Sequence, residues 1–349
     1  MWFKLALTTI AAIFLTACQP TPLQEQQAYV FGTRVEVRVW GVPEKEAHAA
    51  LGEVLRDFDR MHRAYHAWQP SELTALNTAI MAGQGHEVSE ELAGLLRSAQ
   101  NLAAQGDYLF DPGIGRLVAL WGFHGEEFKP ELPDAETLAR LVTARPSIAA
   151  LQINDRHVSS ANRRVAIDFG GYLKGVALDR AAALFKARGI NNALINIGGN
   201  VMALGKKGEV PWRVGIQHPR AAQGGGVPLA TLELHDGEAI GTSGDYQRYF
   251  EIDGRRYSHL IDPRTGMPTT GTQALTVLIS PGTDSGMRSD VLSKPLFVAG
   301  DDWPRLARKV GVEQVLRVDA QGRLESTPAM QPRLKLEAGT SGILELRQP

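Results

Sequence analysis

The chain has 349 residues, 44% of them hydrophobic and 21% charged, a composition that supports a sizeable globular core. Its formal net charge of -1 gives no broad electrostatic basis for binding nucleic acid. A single cysteine in the whole sequence excludes an internal disulfide.

At the N-terminus Lys4 precedes an apolar run from Leu5 to Leu15, which closes on Leu15-Thr16-Ala17-Cys18. The run is shorter than the roughly 20 residues a spanning helix needs, and it reads as an export signal ending in a lipidation box. Cys18 is therefore the expected site of acylation, with residues 1–18 as signal and 19–28 as a tether that opens on Gln19-Pro20-Thr21-Pro22. Each buried acyl CH₂ adds about 0.8 kcal/mol, so two or three chains would hold the protein at a bilayer. An ordinary cleaved signal with a chance cysteine is the alternative. If Cys18 is acylated, the mature domain, residues 29–349, has neither a thiol nucleophile nor a thiolate metal site.

Ala28 to Trp40 alternates apolar and polar residues around Val30, Val35, Val37 and Val39, which predicts a strand. Glu44 to Ala67 predicts a long helix. Ser89 to Gln105 predicts a second, with Leu92, Leu95, Leu96 and Leu102 on one face and Gly106 at its end. Ala149 to Val158 reads as a hairpin, Lys174 to Arg188 as a helix closed by Gly189, and Asn192 to Leu204 as one buried strand. Trp212 to Ile279 is mostly strands broken by Gly and Pro turns. The remainder, Val312 to Pro349, reads as edge strands with a frayed end. Strands in blocks favour an α+β fold over a doubly wound sheet.

Common cofactor signatures are absent. Gly198-Gly199 with Gly205-Lys206 resembles a phosphate loop, but the spacing is wrong and Lys207 stands where Ser or Thr is required. There is no Gly-x-Gly-x-x-Gly, no His-Glu-x-x-His and no nucleophile elbow.

Three dense clusters remain. Leu109-Phe110-Asp111-Pro112, continuing to Trp121-Gly122-Phe123, offers ring faces and a fixed carboxylate to a planar heterocycle; core packing with a turn aspartate is the alternative. In Asp168-Phe169-Gly170-Gly171-Tyr172-Leu173-Lys174-Gly175 a strand ending at Ile167 meets a helix starting near Tyr172. Consecutive glycines, helix-start amides and Lys174 favour an anionic phosphate there, and a plain strand-to-helix turn is equally open. The third cluster runs from Gly241-Thr242-Ser243-Gly244-Asp245 to Tyr257-Ser258-His259-Leu260-Ile261-Asp262-Pro263-Arg264-Thr265-Gly266. A lone strand histidine is usually structural, but the density of reactive groups around His259 favours chemistry, and it can act as a base near neutral pH.

Together with Asn196-Ile197-Gly198-Gly199-Asn200 and Pro211-Trp212-Arg213-Val214-Gly215-Ile216, the second and third clusters resemble the ApbE family over about Tyr29 to Gly300. These are FAD:protein FMN transferases, lipoproteins formerly assigned to thiamine biosynthesis. The resemblance implies an α+β, T-fold-related architecture of mixed, largely antiparallel sheets with packed helices. It implies FAD in a cleft, Mg²⁺ on its pyrophosphate, and transfer of FMN to a threonine hydroxyl with release of AMP. The acceptor it implies is an exported flavoprotein subunit of the Nqr/Rnf kind, carrying that threonine in a Ser/Thr-rich motif. The enzyme itself would be lipid-anchored and face the periplasm.

Carried over by motif, Trp68, Leu109, Phe110, Asp111, Asp168, Lys174 and Leu260 would line the flavin site, and His259 would be the base. Asp290 and the Gly171 carbonyl would hold the metal, with Ser293 and Lys294 beside them. The departure lies in Ser289-Asp290-Val291-Leu292-Ser293-Lys294-Pro295, where Lys294 stands in place of the family's threonine. An ammonium has no lone pair for Mg²⁺. Asp290 and Lys294 are four apart on an expected helix and can pair, although Pro295 disfavours helical geometry at Lys294. The resemblance therefore leaves three readings: a working transferase with Lys294 turned aside, an FAD binder with a weakened metal site, or an FAD pyrophosphatase giving FMN and AMP.

Overall fold

The alternation around Val30 to Val39 resolves into a hairpin rather than one strand. Strands β1 (Gln24–Val30) and β2 (Thr33–Val39) pair antiparallel about Phe31 and Gly32, both with positive φ, 58° and 65°. In this computed structural model, residues 23–125, 129–221, 226–337 and 344–349 are described. The expected signal and Cys18 lie outside them. Because β1 begins at Gln24, the last five residues of the expected tether belong to the sheet.

Helix α1 (Glu44–Ala64) stops three residues short of its expected end, and α2 (Glu72–Ala82) follows unanticipated. The signal for α2 was local. Ser71 and Thr74 form a reciprocal capping box, and Gly83 ends the helix with φ 75°. After β3 (His86–Glu87), α3 (Glu90–Gln105) is capped by Ser89, whose hydroxyl accepts the Leu92 amide at 3.1 Å. Helices α4 (Gly115–Leu120) and α5 (Ala135–Ala144) precede the expected hairpin, β4 (Leu151–Asn154) and β5 (His157–Ser160). The strand expected to end at Ile167 is reduced to a bridge between Ile114 and Ala166.

Helix α6 (Leu173–Ala187) leads into β6 (Ala193–Ile197) and β7 (Asn200–Leu204). These were expected as one strand. The chain reverses at Gly198 and Gly199, with φ 58° and 92°, a conformation that favours glycine. Strands β8 (Trp212–Ile216), β9 (Ala230–Leu234), β10 (Ala239–Gly244), β11 (Tyr249–Ile252), β12 (Arg255–Ser258) and β13 (Thr272–Ile279) follow. Next come α7 (Ser285–Ala299), α8 (Trp303–Val310), β14 (Gln314–Asp319), β15 (Leu324–Ser326), β16 (Lys335–Leu336) and β17 (Leu344–Leu346).

The main sheet has nine strands in the order β1-β2-β6-β7-β10-β13-β14-β15-β17, antiparallel throughout except for the β15–β17 pair. Strand β14 is an interior strand with a buried face, not the edge expected from the sequence, and it carries the fully buried Arg317 paired to Glu325 at 2.7 Å. The largest apolar cluster brings sheet residues such as Val37, Ile195 and Val277 together with Phe58, Leu96, Phe185, Leu292 and Trp303 from the helices. A second cluster joins Leu194, Val201 and Ile240 to Trp212, Val214 and Leu232 of the small β16-β9-β8 sheet. A third gathers Trp121, Phe123, Phe250, Tyr257 and Ile261.

No helix among the described residues is long and apolar enough to cross a membrane.

Candidate active site

Helices α6 and α7 pack with almost no side chain between them at one point. A Cβ on Gly175 would lie 2.6 Å from the Gly286 carbonyl and 2.7 Å from the Asp290 Cβ. This closeness delivers the Asp290 carboxylate to the first turn of α6, where Oδ2 accepts the Gly175 amide at 2.9 Å. Its other oxygen accepts from Asn200 Nδ2 at 3.0 Å and from Lys294 Nζ at 2.6 Å. Asp290 is fully buried. Burial opposes its charge, but Lys294 and Lys174 outweigh that and hold the carboxyl below its ordinary range.

Lys294 sits on α7 beside Pro295, and the helix continues past the proline to Ala299. The geometric doubt raised by Pro295 is thereby removed: Lys294 is helical and reaches back one turn. Its ammonium contacts the Asp290 main-chain carbonyl, also at 2.6 Å. Ser293, buried on the same helix, donates to that carbonyl at 2.9 Å and lies 2.8 Å from the Ser243 hydroxyl.

Across the cleft, β12 ends in Ser258 and the chain turns through His259. The His259 ring is half-buried and stands edge-on to Phe123, with centroids 6.4 Å apart. Its Nδ1 lies 3.2 Å from the Arg248 carbonyl. A carbonyl can only accept, so Nδ1 carries the proton and Nε2 keeps the lone pair. Burial, then the charges of Arg248, Lys174 and Lys294, push the imidazole down to about 3.

The same charges act on one another. Burial, with Lys294 and Arg248, pushes the Lys174 ammonium down against the pull of Asp290. Burial raises the Asp168 carboxyl, opposed by the Gly170 amide at 2.7 Å and by the charges of Arg248 and His66. Lys174, Arg248, Lys294, Asp168, Asp290 and His259 therefore lie close enough to act on one another.

The sequence pattern of the ApbE family matches residues 31–316. The chain belongs to the ApbE family. A Rhodobacter capsulatus protein named FAD:protein FMN transferase is 42% identical over 321 residues, covering 92% of this chain but 60% of the relative. Relatives of the same name from Klebsiella pneumoniae and Treponema pallidum are 31% and 33% identical, over 82% and 78% of this chain and 81% and 77% of their own. An ApbE protein from Thermotoga maritima superposes with a TM-score of 0.80 at 29% identity, covering 89% of this chain and 99% of that one. The Pseudomonas stutzeri flavinyl transferase ApbE gives 0.77 at 27% identity over 94% and 100%. The α+β architecture expected of the family is the one observed.

Within this ApbE fold, the expected site residues fall into distinct positions. Leu109, Phe110 and Leu260 are buried in the main core, and Phe110 approaches the position a Gly171 Cβ would take, at 3.1 Å. Trp68 packs against His124 at 5.5 Å, and its amide donates to His66 Nδ1 at 3.1 Å. His66 lies close enough to Asp168 to act on its carboxyl. Asp111 Oδ1 accepts the Gly113 and Ile148 amides, both at 2.8 Å, so that oxygen fastens two loops.

Arg248 was missed from sequence. It lies inside Gly244-Asp245-Tyr246-Gln247-Arg248, and only the fold brings its guanidinium to the Phe123 carbonyl at 2.8 Å and its own carbonyl to His259.

The four residues expected at the metal, Gly171, Asp290, Ser293 and Lys294, do come together, but they do not fit a divalent ion. Both Asp290 carboxylate oxygens already accept from N–H donors, and the Ser293 hydroxyl donates to a carbonyl and bonds Ser243. Lys294 brings a cation of its own to the oxygen atoms a hard metal would take. Among the described residues no cluster of three His, Cys, Asp or Glu offers another metal site.

Proposed function

We propose that this chain transfers FMN from FAD to a threonine hydroxyl of an exported flavoprotein subunit and releases AMP. The observation that carries the proposal is the convergence of Lys174, Arg248 and Lys294 on a cleft whose wall holds a neutral, oriented His259. A pyrophosphate dianion complements the three cations, and Leu109, Phe110, Leu260 and Trp68 supply apolar and ring surface for an isoalloxazine. The names of the relatives support FAD as the donor.

In the reaction, the threonine Oγ forms a bond to the FMN phosphorus while the pyrophosphate P–O bond breaks. AMP leaves with that electron pair, and the hydroxyl proton passes to His259 Nε2. The imidazole is a weak base in the free cleft, and a dianion placed beside it raises its proton affinity. Lys174 and Lys294 stabilise charge spread over the phosphoryl oxygens, and the rigid α6–α7 junction fixes the line of attack. The Mg²⁺ dependence implied by the resemblance is not carried over, because the donor set does not fit it.

The acceptor proposed is an Nqr/Rnf-like subunit with its threonine in a Ser/Thr-rich motif. The location proposed is the periplasmic face of a bacterial membrane, with lipid on Cys18. Incubation of the full chain with FAD, with and without such an acceptor, tests the activity. AMP production that depends on the acceptor supports transfer, and AMP and FMN appearing equally without it would show a pyrophosphatase instead.

A further inference from the structure

We propose that the Lys294 ammonium is a tethered replacement for the divalent cation at the pyrophosphate end of the cleft, so that this chain binds FAD and transfers FMN without a metal ion. The inference rests on the reading of the cleft as an FAD site.

The placement of Nζ is the first observation. It lies 2.6 Å from Asp290 Oδ1 and 2.6 Å from the Asp290 main-chain oxygen, a carboxylate and a carbonyl on the same residue. Oxygen pairs of this kind are what a hard cation selects. Gly175 and Asn200 take two further acceptor sites of the same carboxylate. An ion entering here would have to displace the ammonium, and the charge repulsion between them opposes that.

The cleft is also shaped for a lysine. A Cβ on Gly171 would come 2.6 Å from Lys294 Cε and 3.0 Å from Cδ, so the missing side chain at 171 is the channel through which the lysine stem passes. A threonine at 294 would leave that channel empty. The Lys294 side chain retains 14% of its exposure while Asp290 retains 1%, so it is the ammonium and not the carboxylate that meets the cleft. Two of its three N–H donors are committed to Asp290, and the third is available to a phosphate oxygen. Lys174 lies close enough to Lys294 for the two side chains to act on each other.

A structural i,i+4 ion pair would share the Asp290 contact but would leave FAD binding dependent on metal. The two are separated by titrating FAD into the full-length chain after dialysis against EDTA, and again in millimolar Mg²⁺, following flavin fluorescence. The proposal expects the wild-type Kd to differ by less than about twofold between the two conditions. Lys294→Thr should bind FAD about tenfold or more weakly in EDTA and recover with Mg²⁺. Mn²⁺ alone, followed by electron paramagnetic resonance, should bind Lys294→Thr and not the wild type.

Wild-type FAD binding that collapses in EDTA and returns with Mg²⁺ would overturn the inference while leaving the transferase reading intact. An absence of FAD binding in both conditions would overturn that reading and the inference with it. The wild-type pair of titrations decides the matter even if Lys294→Thr fails to fold.

Discussion

The carbonyl oxygen of Arg248 accepts two bonds from His259, one from its main-chain amide at 3.0 Å and one from its ring Nδ1 at 3.2 Å. One residue thereby fixes both the path of the chain and the rotation and tautomer of the imidazole. The guanidinium of the same arginine adds to the positive field that keeps the ring neutral.

The pH profile follows from that. An imidazole at its ordinary value of 6.5 would lose activity as a base below that pH, whereas one pushed down to about 3 would not. The kcat/KM for FMN transfer, which reports the free site, should stay level between about pH 5.5 and 8, with its acid limb below that range. Stability runs the same way. Below pH 6.5 the unfolded chain binds a proton that folded His259 refuses, so the contribution of His259 to stability is lost progressively as pH falls from 6.5 towards 3. His259→Ala should lower transfer about 10²- to 10⁴-fold while FAD affinity holds, as read by single-turnover rates and fluorescence titration. A limb near pH 6.5 that disappears in His259→Ala would contradict the assignment.

Asp111 should behave as a loop fastener. Asp111→Asn keeps an oxygen that can accept from Gly113 and Ile148, and burial already pushes the native carboxyl towards its neutral form. Denaturant melts should show the asparagine variant near wild type. Asp111→Ala, which strands two buried amides, should lose at least about 2 kcal/mol. FAD affinity in the asparagine variant should be unchanged, and a marked loss would place Asp111 on the flavin after all.

Gly171→Ala tests the position of Lys294. A Cβ there would meet Lys294 Cε at 2.6 Å and the buried Phe110 ring at 3.1 Å, and it would part the buried Asp290 carboxylate from its cation, so a denaturant melt should show a loss of stability. The displaced ammonium would leave Asp290, and FAD binding in EDTA should weaken by about tenfold. Unaltered binding would show that the position of Lys294 is irrelevant to the ligand.

Trp121 anchors the Asp262-Pro263-Arg264-Thr265-Gly266 turn. Its indole N–H donates to the buried Gly266 carbonyl at 2.7 Å, while its ring stacks with Tyr257 at 5.7 Å. Trp121→Phe keeps a ring but strands the carbonyl, and should cost about 1–3 kcal/mol in a denaturant melt. A neutral result would mean that water or a local shift satisfies Gly266.

Much of this arrangement could be read in advance. Helix α3 was legible because Ser89, Gly106 and the Leu92-Leu96-Leu102 stripe agree, and the Asp168–Gly175 and His259–Gly266 motifs pointed to the cleft that the fold assembles. The two hairpins read as single strands failed at Phe31-Gly32 and Gly198-Gly199, where an alternating pattern in the first and an apolar run in the second resume after the reversal and the positive φ marks the break. The two amides that Asp111 accepts were not legible, because a carboxylate among aromatics looks the same in sequence whether it faces a ligand or backbone. Arg248 was invisible because its neighbours come from the segment after α4 and the turn after β12, more than ten residues away in either direction along the chain.

The central claim is the covalent transfer itself, and intact mass of the acceptor tests it most directly. After incubation of the full-length chain with FAD and an acceptor bearing the threonine motif, the acceptor should gain the mass of one FMN. The gain should persist in EDTA and vanish when the acceptor threonine is replaced by alanine. An acceptor that keeps its original mass while FAD is bound or cleaved in solution would contradict the account.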